Sequence, residues 1–550
     1  MRVALVQLDY HIGNFLENTT NIVLEIKKAE ELNIDLVVFS ELSICGYPPL
    51  DLLERKNFIE RCTEEINRIA RICINTAVII GSPSLNTSPE GKMLFNSAYF
   101  LYQGKVNEVI NKSLLPTYDI FDEYRYFEPN REFRIIEFKG KKIAVTICED
   151  LWDEQTVENK FARERLYTVH PMEELMKLGA ELVINIAASP FSHTKTVIKR
   201  NIFIDKAKKF HIPVIYVNQS GAQTQLLFEG GSMAIDKNGN VIEQLEFFCE
   251  DTRYIDTDDL DGSGKPSTFR EPERIQMIHD ALVMGINGYF SKMGFSKAVL
   301  GLSGGIDSAV TLVLAARALG NKNVHALLMP SGFSSDHSIS DSIALAQKLE
   351  ISYDIINIEE IFQLFNSTLK PVFKSAEHNI AEENIQSRIR GVLLMAYSNK
   401  FGHILLNTSN KSEAAVGYGT LYGDMNGGLS VLGDIYKLDV YNLAGFINKT
   451  EEVIPVNIIK KAPSAELRKE QKDSDSLPEY EILDKILNEY IELQKSADEI
   501  IESGFNDELV RRVIRMVNLS EYKRYQTPPI LRISSKAFGE GRKLPIVAWY

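Results

Sequence analysis

The chain has 550 residues, too many for one core of ordinary size, so two large domains are expected. Hydrophobic residues at 44 % and charged residues at 25 % argue against a disordered, collagen-like or coiled-coil protein. A net charge of −14 opposes nonspecific binding to nucleic acid or acidic membranes, so any phosphate ligand must be held by a local site.

The first segment, MRVALVQLDY, carries Gln7 and Asp9 where a signal peptide needs unbroken apolar residues. No apolar run approaches the roughly 18 residues of a membrane span. The segment reads as the first strand of a cytoplasmic protein. Cys45, Cys62, Cys73, Cys148 and Cys249 show no CxxC or Cys/His ligand spacing, which argues against a disulfide scaffold or zinc module. All five precede residue 250, so the C-terminal half must work without thiols.

Periodicity predicts strands at 3–8, 35–40 and 76–82, separated by helices near 18–32 and 58–72, then strands at 143–148, 181–187 and 212–218. Each late strand ends in polar or small residues, where an α/β sheet exposes its functional groups. A layered α/β domain is expected over 1–250. Residues 251–272, rich in Asp, Gly, Ser, Thr and Pro, read as a linker. Alternation resumes over 273–550: strand 297–302, a helix from Asp307, strand 324–330, helix 339–349, strand 353–358, helix 384–400 and strand 403–409. The charged stretch 466–475 reads as a solvated or mobile segment, and helices after Pro478 are expected to cap the second domain.

Cys148 ends its strand and precedes Glu149 and Asp150, so a sharp turn there can present sulfur at a strand-to-helix elbow. A free cysteine is more often a small buried hydrophobe, so its neighbours must decide. Glu41 ends strand 35–40 before the turn ELSICGYPP, and Lys112 follows a strand ending near Ile110. Glu, Lys and Cys in that order, each at the C-terminal end of a strand, resemble the nitrilase/amidase superfamily over nearly all of 1–250. The resemblance implies an αββα sandwich. The residue types suit the chemistry: Glu41 as general base, Cys148 as nucleophile, and Lys112 stabilising the oxyanion alongside a backbone N–H. The strings ELSICGYPPLDLL, LLPTYDIFDEYRYF and ICEDLW are similar to the glutaminase domain of glutamine-dependent NAD synthetases. That likeness puts Tyr118, Ser189 and Lys195 at the glutamine.

In the second half, GLSGGIDS supplies Gly301, Leu302, Ser303, Gly304, Gly305, Ile306, Asp307 and Ser308 between an apolar strand and a helix. Its glycines bring backbone N–H groups close to a polyphosphate at a helix N-terminus. The rival GSGKPS at 262–267 lacks the upstream glycine of a Walker loop and puts proline after its lysine. SGGxDS resembles the pyrophosphatase-loop ATP family, which implies a Rossmann-like parallel sheet and cleavage of ATP to AMP and pyrophosphate. Asp307 and Glu413 offer two carboxylates which, with ATP phosphates, suit Mg²⁺.

SNKSE followed by GYGTLYGDMNGG resembles the NAD synthetase family over roughly 275–550. By that likeness Thr408 contacts ATP, while Asn384, Glu413 and Lys523 contact deamido-NAD. Arg388 lies one helical turn from Asn384 and shares its face. Arg524 beside Lys523 could serve the same phosphate. Tyr525 stands where the family often has a second arginine.

The combined resemblance implies a carbon–nitrogen ligase of NAD biosynthesis: glutamine is hydrolysed to supply ammonia, and ATP adenylates deamido-NAD for amidation. Small molecules are the expected partners, with neither nucleic acid nor membrane, in a homo-oligomer with a shielded ammonia channel. Two alternatives stay open at this point: a nitrilase-type amidotransferase for a different adenylated substrate, and a noncatalytic nucleotide or glutamine sensor.

Overall fold

The computed structural model describes all residues except 155–164, 375, 376, 378, 469, 470, 549 and 550. It comprises two compact units, Met1–Glu271 and Pro272–Tyr550. No helix among the described residues is long and apolar enough to cross a membrane.

The first unit is built on two six-stranded sheets. One has the order Asp251–Asp256, Arg2–Gln7, Leu36–Val38, Ala77–Leu85, Leu94–Tyr102, Lys105–Asn111. The other has the order Val241–Gln244, Met233–Ile235, Val214–Asn218, Leu182–Ala187, Lys141–Ile147, Ile136–Phe138. The central strands of each run parallel and are buried on both faces, which is why they read as continuous apolar runs. Val3, Leu5, Val38 and Ile79 share one core with Ile143, Val145 and Ile184 of the other sheet. On its outer face the first sheet packs Val6, Val37 and Ile80 against Ile22, Ile26, Ile59 and Ile66 of the helices Phe15–Glu31 and Lys56–Ala70. Phe203 and Ala207 of helix Thr196–Phe210 cover the second sheet, completing an αββα sandwich.

Residues 251–256, expected in the linker, instead form an edge strand antiparallel to Arg2–Gln7, with Arg2 opposite Asp256 and Gln7 opposite Asp251. Only Ile255 is buried, so the strand's polar composition concealed its pairing.

The second unit holds a five-stranded, wholly parallel sheet in the order Ser352–Ile355, Val324–Leu328, Ala298–Gly301, Ile404–Asn407, Leu429–Ser430. The chain order reverses between Ala298–Gly301 and Ile404–Asn407, and a crevice forms outside the strand ends at such a switch point. The helices Tyr480–Leu487, Ala497–Glu502 and Asp507–Leu519 contribute Leu483, Ile500 and Val513 to a core with Ala415, Val416 and Phe538.

The segment 466–475 departs from the solvated expectation among its described residues. Glu466 Oε1 accepts from Ser335 Oγ at 3.0 Å and Ser338 Oγ at 2.9 Å, and buried Asp473 accepts from Tyr480 at 2.9 Å. Glu466 and Asp473 turn inward because partners on other elements satisfy them.

Candidate active sites

In the first unit, the ends of three strands carry the polar groups. Cys148 leaves strand Lys141–Ile147 with φ of 44°, a left-handed turn that costs about 1 kcal/mol in a non-glycine residue and forms the elbow. Glu41 and Lys112 have no exposed surface, and Lys112 Nζ donates to Glu41 Oε1 at 2.8 Å. The other Glu41 oxygen accepts the Ala188 N–H at 2.9 Å, and Asn96 donates to Oε1 at 2.7 Å.

Sequence reasoning missed Glu123. Its carboxylate accepts from Lys112 Nζ at 2.8 and 2.7 Å and from the Tyr47 hydroxyl at 2.9 Å. In YDIFDEYRY it stands beside Asp119 and Asp122, and only the tertiary fold distinguishes it. Burial pushes Glu123 up to about 7 against the pull of Lys112. Burial alone would lower the Lys112 ammonium, but Glu123 and Glu41 outweigh it and hold it well above its ordinary value. Burial and then the Glu41 charge push the Cys148 thiol well up, while Lys112 opposes them.

The other expected residues are held by contacts of their own. Tyr118 donates to Glu149 Oε1 at 2.8 Å, as does Tyr167 at 2.9 Å, and Glu149 directly follows Cys148. Ser189 follows the Ala188 that holds Glu41, and its N–H donates to Asn218 Oδ1 at 2.9 Å. Lys195 Nζ lies 3.8 Å from Asp119, next to Tyr118. A neutral buried thiol facing a carboxylate and an ammonium can pass its proton to the carboxylate without changing the net charge of the pocket.

In the second unit, residues 301–308 line a cavity of about 280 Å³ at the switch point, together with Thr408, Glu413, Lys437 and Arg390. Helix Ile306–Leu319 starts at the loop, so its N-terminus faces the cavity. Gly304 has φ of +79°, and a Cβ there would lie 2.5 Å from the Ser338 carbonyl, so the loop requires glycine.

Lys437, also missed from sequence, donates to Asp307 Oδ2 at 2.5 Å and Glu413 Oε1 at 3.1 Å. Asn410 donates to the other Asp307 oxygen at 2.9 Å and caps the helix bearing Glu413. Burial pushes Glu413 up to about 7 against Lys437, and burial draws Arg390 down to about 10. Two carboxylates converging on one ammonium make a wall that already stabilises a cation. Among the described residues no group of three or more His, Cys, Asp or Glu gathers as a metal cage. Two hard oxygen ligands beside a phosphate loop fit Mg²⁺, which usually takes one or two carboxylates and completes its shell with phosphate and water.

Asn384, Arg388 and Lys523 are not among the residues lining this cavity. They bond instead to the loop following Glu413, whose Tyr418 and Gly423 do line it: Thr420 donates to Asn384 Oδ1 at 2.7 Å, Arg388 Nε donates to the Leu421 carbonyl at 3.2 Å, and Lys523 Nζ donates to the Gly417 and Gly419 carbonyls at 2.7 and 2.8 Å. Arg524 is instead buried and bonded to Glu521 at 2.7 Å.

Residues 2–261 match the family described as carbon-nitrogen hydrolase, and residues 278–527 match NAD synthase. The glutamine-dependent NAD(+) synthetase of Synechocystis sp. is 43% identical over 550 residues, with 99% of this chain and 98% of that one covered. Its counterpart from Acinetobacter baylyi is 40% identical over 549 residues, at 99% and 98% coverage. A solved structure of glutamine-dependent NAD+ synthetase from Acinetobacter baumannii in complex with adenosine diphosphate matches with a TM-score of 0.78 and 36% identity, over 99% of this chain and 98% of that chain. With both halves matched and full-length identity this high, the chain belongs to the glutamine-dependent NAD(+) synthetase family.

Proposed function

We propose that this chain amidates deamido-NAD to NAD with nitrogen taken from glutamine. One observation carries the proposal: a chain of this family holds both a buried Glu–Lys pair beside an elbow cysteine and an ATP-type loop opening on a cavity.

In the first unit, Glu41 takes the Cys148 proton as sulfur attacks the glutamine side-chain carbonyl. Lys112 and a backbone N–H after the elbow stabilise the oxyanion. Collapse breaks the C–N bond, the proton held on Glu41 goes to the leaving nitrogen, and ammonia departs. Water then cleaves the glutamyl thioester and restores the thiol. Tyr118, Ser189 and Lys195 bind glutamine, a role supported by their linkage to Glu149, Ala188 and Asp119 around the elbow.

In the second unit, the nicotinate carboxylate of deamido-NAD attacks the α-phosphorus of ATP and pyrophosphate leaves. Ammonia attacks the resulting acyl adenylate and AMP departs. The amides of 301–308, together with Thr408 and Lys437, hold and neutralise phosphate groups. Asp307 and Glu413 would hold Mg²⁺, which supplies further neutralisation of phosphate charge. Asn384, Arg388 and Lys523, each hydrogen-bonded to the loop following Glu413, bind deamido-NAD alongside Glu413.

Self-association is part of the proposal. Helices Glu359–Phe373 and Ile380–Phe401 leave Leu364, Val372, Ile380, Val392 and Phe401 more than half exposed, apolar surface that a second copy can cover in part. Five free thiols, one of them the nucleophile, suit a reducing cytoplasm.

The substrate assignment is tested by offering deamido-NAD and purine carboxyl or keto substrates with ATP and glutamine. NAD formation from deamido-NAD alone is expected. Turnover of another acceptor with none of deamido-NAD would favour the alternative amidotransferase.

A further inference from the structure

Asp150 lies two residues beyond Cys148 and is almost completely buried. Among the described residues its three hydrogen bonds are all to backbone N–H groups, and they divide between two segments. Oδ1 accepts from Ser113 and Leu114, each at 2.9 Å, and Oδ2 accepts from Ile147 at 3.0 Å. Ser113 and Leu114 directly follow Lys112, and Ile147 directly precedes Cys148. One carboxylate therefore ties the strand end bearing the ammonium to the elbow bearing the nucleophile. Lys112 comes from the first sheet and Cys148 from the second, and backbone hydrogen bonding within either sheet does not fix one relative to the other.

The geometry points to Asp150 as a positioning residue for glutamine hydrolysis, setting the Cys148 sulfur and the Lys112 ammonium in register across the two sheets. It touches no substrate in this scheme and acts through the two groups it joins. The proposal rests on the roles given above to Cys148 and Lys112. A parent chain that hydrolyses glutamine, a Cys148→Ala chain that does not, and a Lys112→Met chain slowed about 100-fold or more establish those roles separately.

The requirement for a carboxylate follows from donor counting. Three N–H groups converge on it, and an asparagine of the same shape offers one oxygen and one NH₂. Asparagine would meet Ser113 and Leu114 but set a donor against the Ile147 N–H, or the reverse, releasing one side of the clamp.

The test is Asp150→Asn, with glutamate release, ammonium-driven NAD formation and thermal unfolding measured together. The expected result is a folded chain, ammonium-driven synthesis within about twofold of the parent, and kcat for glutamine down about 100-fold with KM within about threefold, the cost of a misplacement near 1 Å. In a cycle with Lys112→Met the two losses should fall well short of multiplying, since both act on the same oxyanion contact. If Asp150→Asn does not fold, Asp150→Glu keeps the carboxylate but displaces it by one methylene. It should lower kcat at least tenfold with KM held, about 1.4 kcal/mol in the barrier. A folded variant with kcat unchanged, a loss carried wholly by KM, or fully multiplicative losses in the cycle would overturn the proposal.

Discussion

Lys112 Nζ and Glu41 Oε1 stand 2.8 Å apart with neither side chain exposed to solvent. The strand ends that bear them come from one sheet, and the pair borders the elbow of the other. Desolvation makes such a pair expensive to break from one side, because the remaining charge is left buried without compensation.

Lys112→Met should therefore act on stability and on chemistry together. The first unit is expected to lose about 3–5 kcal/mol in denaturant unfolding. Glutamine hydrolysis should fall about 10²–10³-fold through loss of an oxyanion donor. A variant as stable as the parent would show that the pair is not the buried, tightly coupled contact described.

Glu123 gives the first unit a specific pH dependence. Its carboxyl is raised from an ordinary 4.5 to about 7, so between those values the unfolded chain has released a proton that the folded chain retains. Stability from this group is fully present below about 4.5 and is lost as pH rises through about 7. Burial raises Glu149 and Asp150 in the same direction, so the comparison must be with a variant. Unfolding midpoints of Glu123→Gln should decline less steeply across this window than those of the parent, and equal slopes would refute the assignment.

Lys437 bridges Asp307 and Glu413 in the second unit. Lys437→Met should reduce NAD formation about 10²–10³-fold, whichever nitrogen source is supplied. Glutamate release should stay within a few-fold of the parent. A defect confined to the glutamine-driven reaction would place Lys437 in the wrong half of the chemistry.

Gly304→Ala tests the phosphate loop. The left-handed backbone costs a side chain about 1–2 kcal/mol, and the added methyl collides with the Ser338 carbonyl. The expected result is a KM for ATP raised about tenfold or more, with glutamine hydrolysis intact, read from steady-state kinetics. An unchanged KM for ATP would show that the loop does not approach the nucleotide.

Much of this architecture was legible because buried parallel strands advertise themselves as apolar runs with polar ends. Glu41 and Cys148 could be placed at strand ends for that reason, and 301–308 at a strand–helix junction. Glu123 was not legible, because three acids fall within five residues and only the packed sheet selects one. Lys437 sits in an ordinary helix start and gains meaning only when Asp307 and Glu413 arrive from 130 and 24 residues away. The edge strand Asp251–Asp256 was hidden because an edge needs little apolar surface, and Glu466 and Asp473 looked solvated because their partners lie on other elements. What escaped the sequence was in each case a contact between separate elements, whether seven residues apart, as Asp473 and Tyr480 are, or 130, as Asp307 and Lys437 are.

The central claim is that one half of the chain releases ammonia and the other consumes it. Comparing NAD formation by Cys148→Ala with glutamine and with ammonium as nitrogen source tests it most directly. The account predicts that glutamine-driven synthesis disappears while ammonium-driven synthesis persists near the parent rate. Loss of both, or survival of the glutamine-driven reaction, would contradict it.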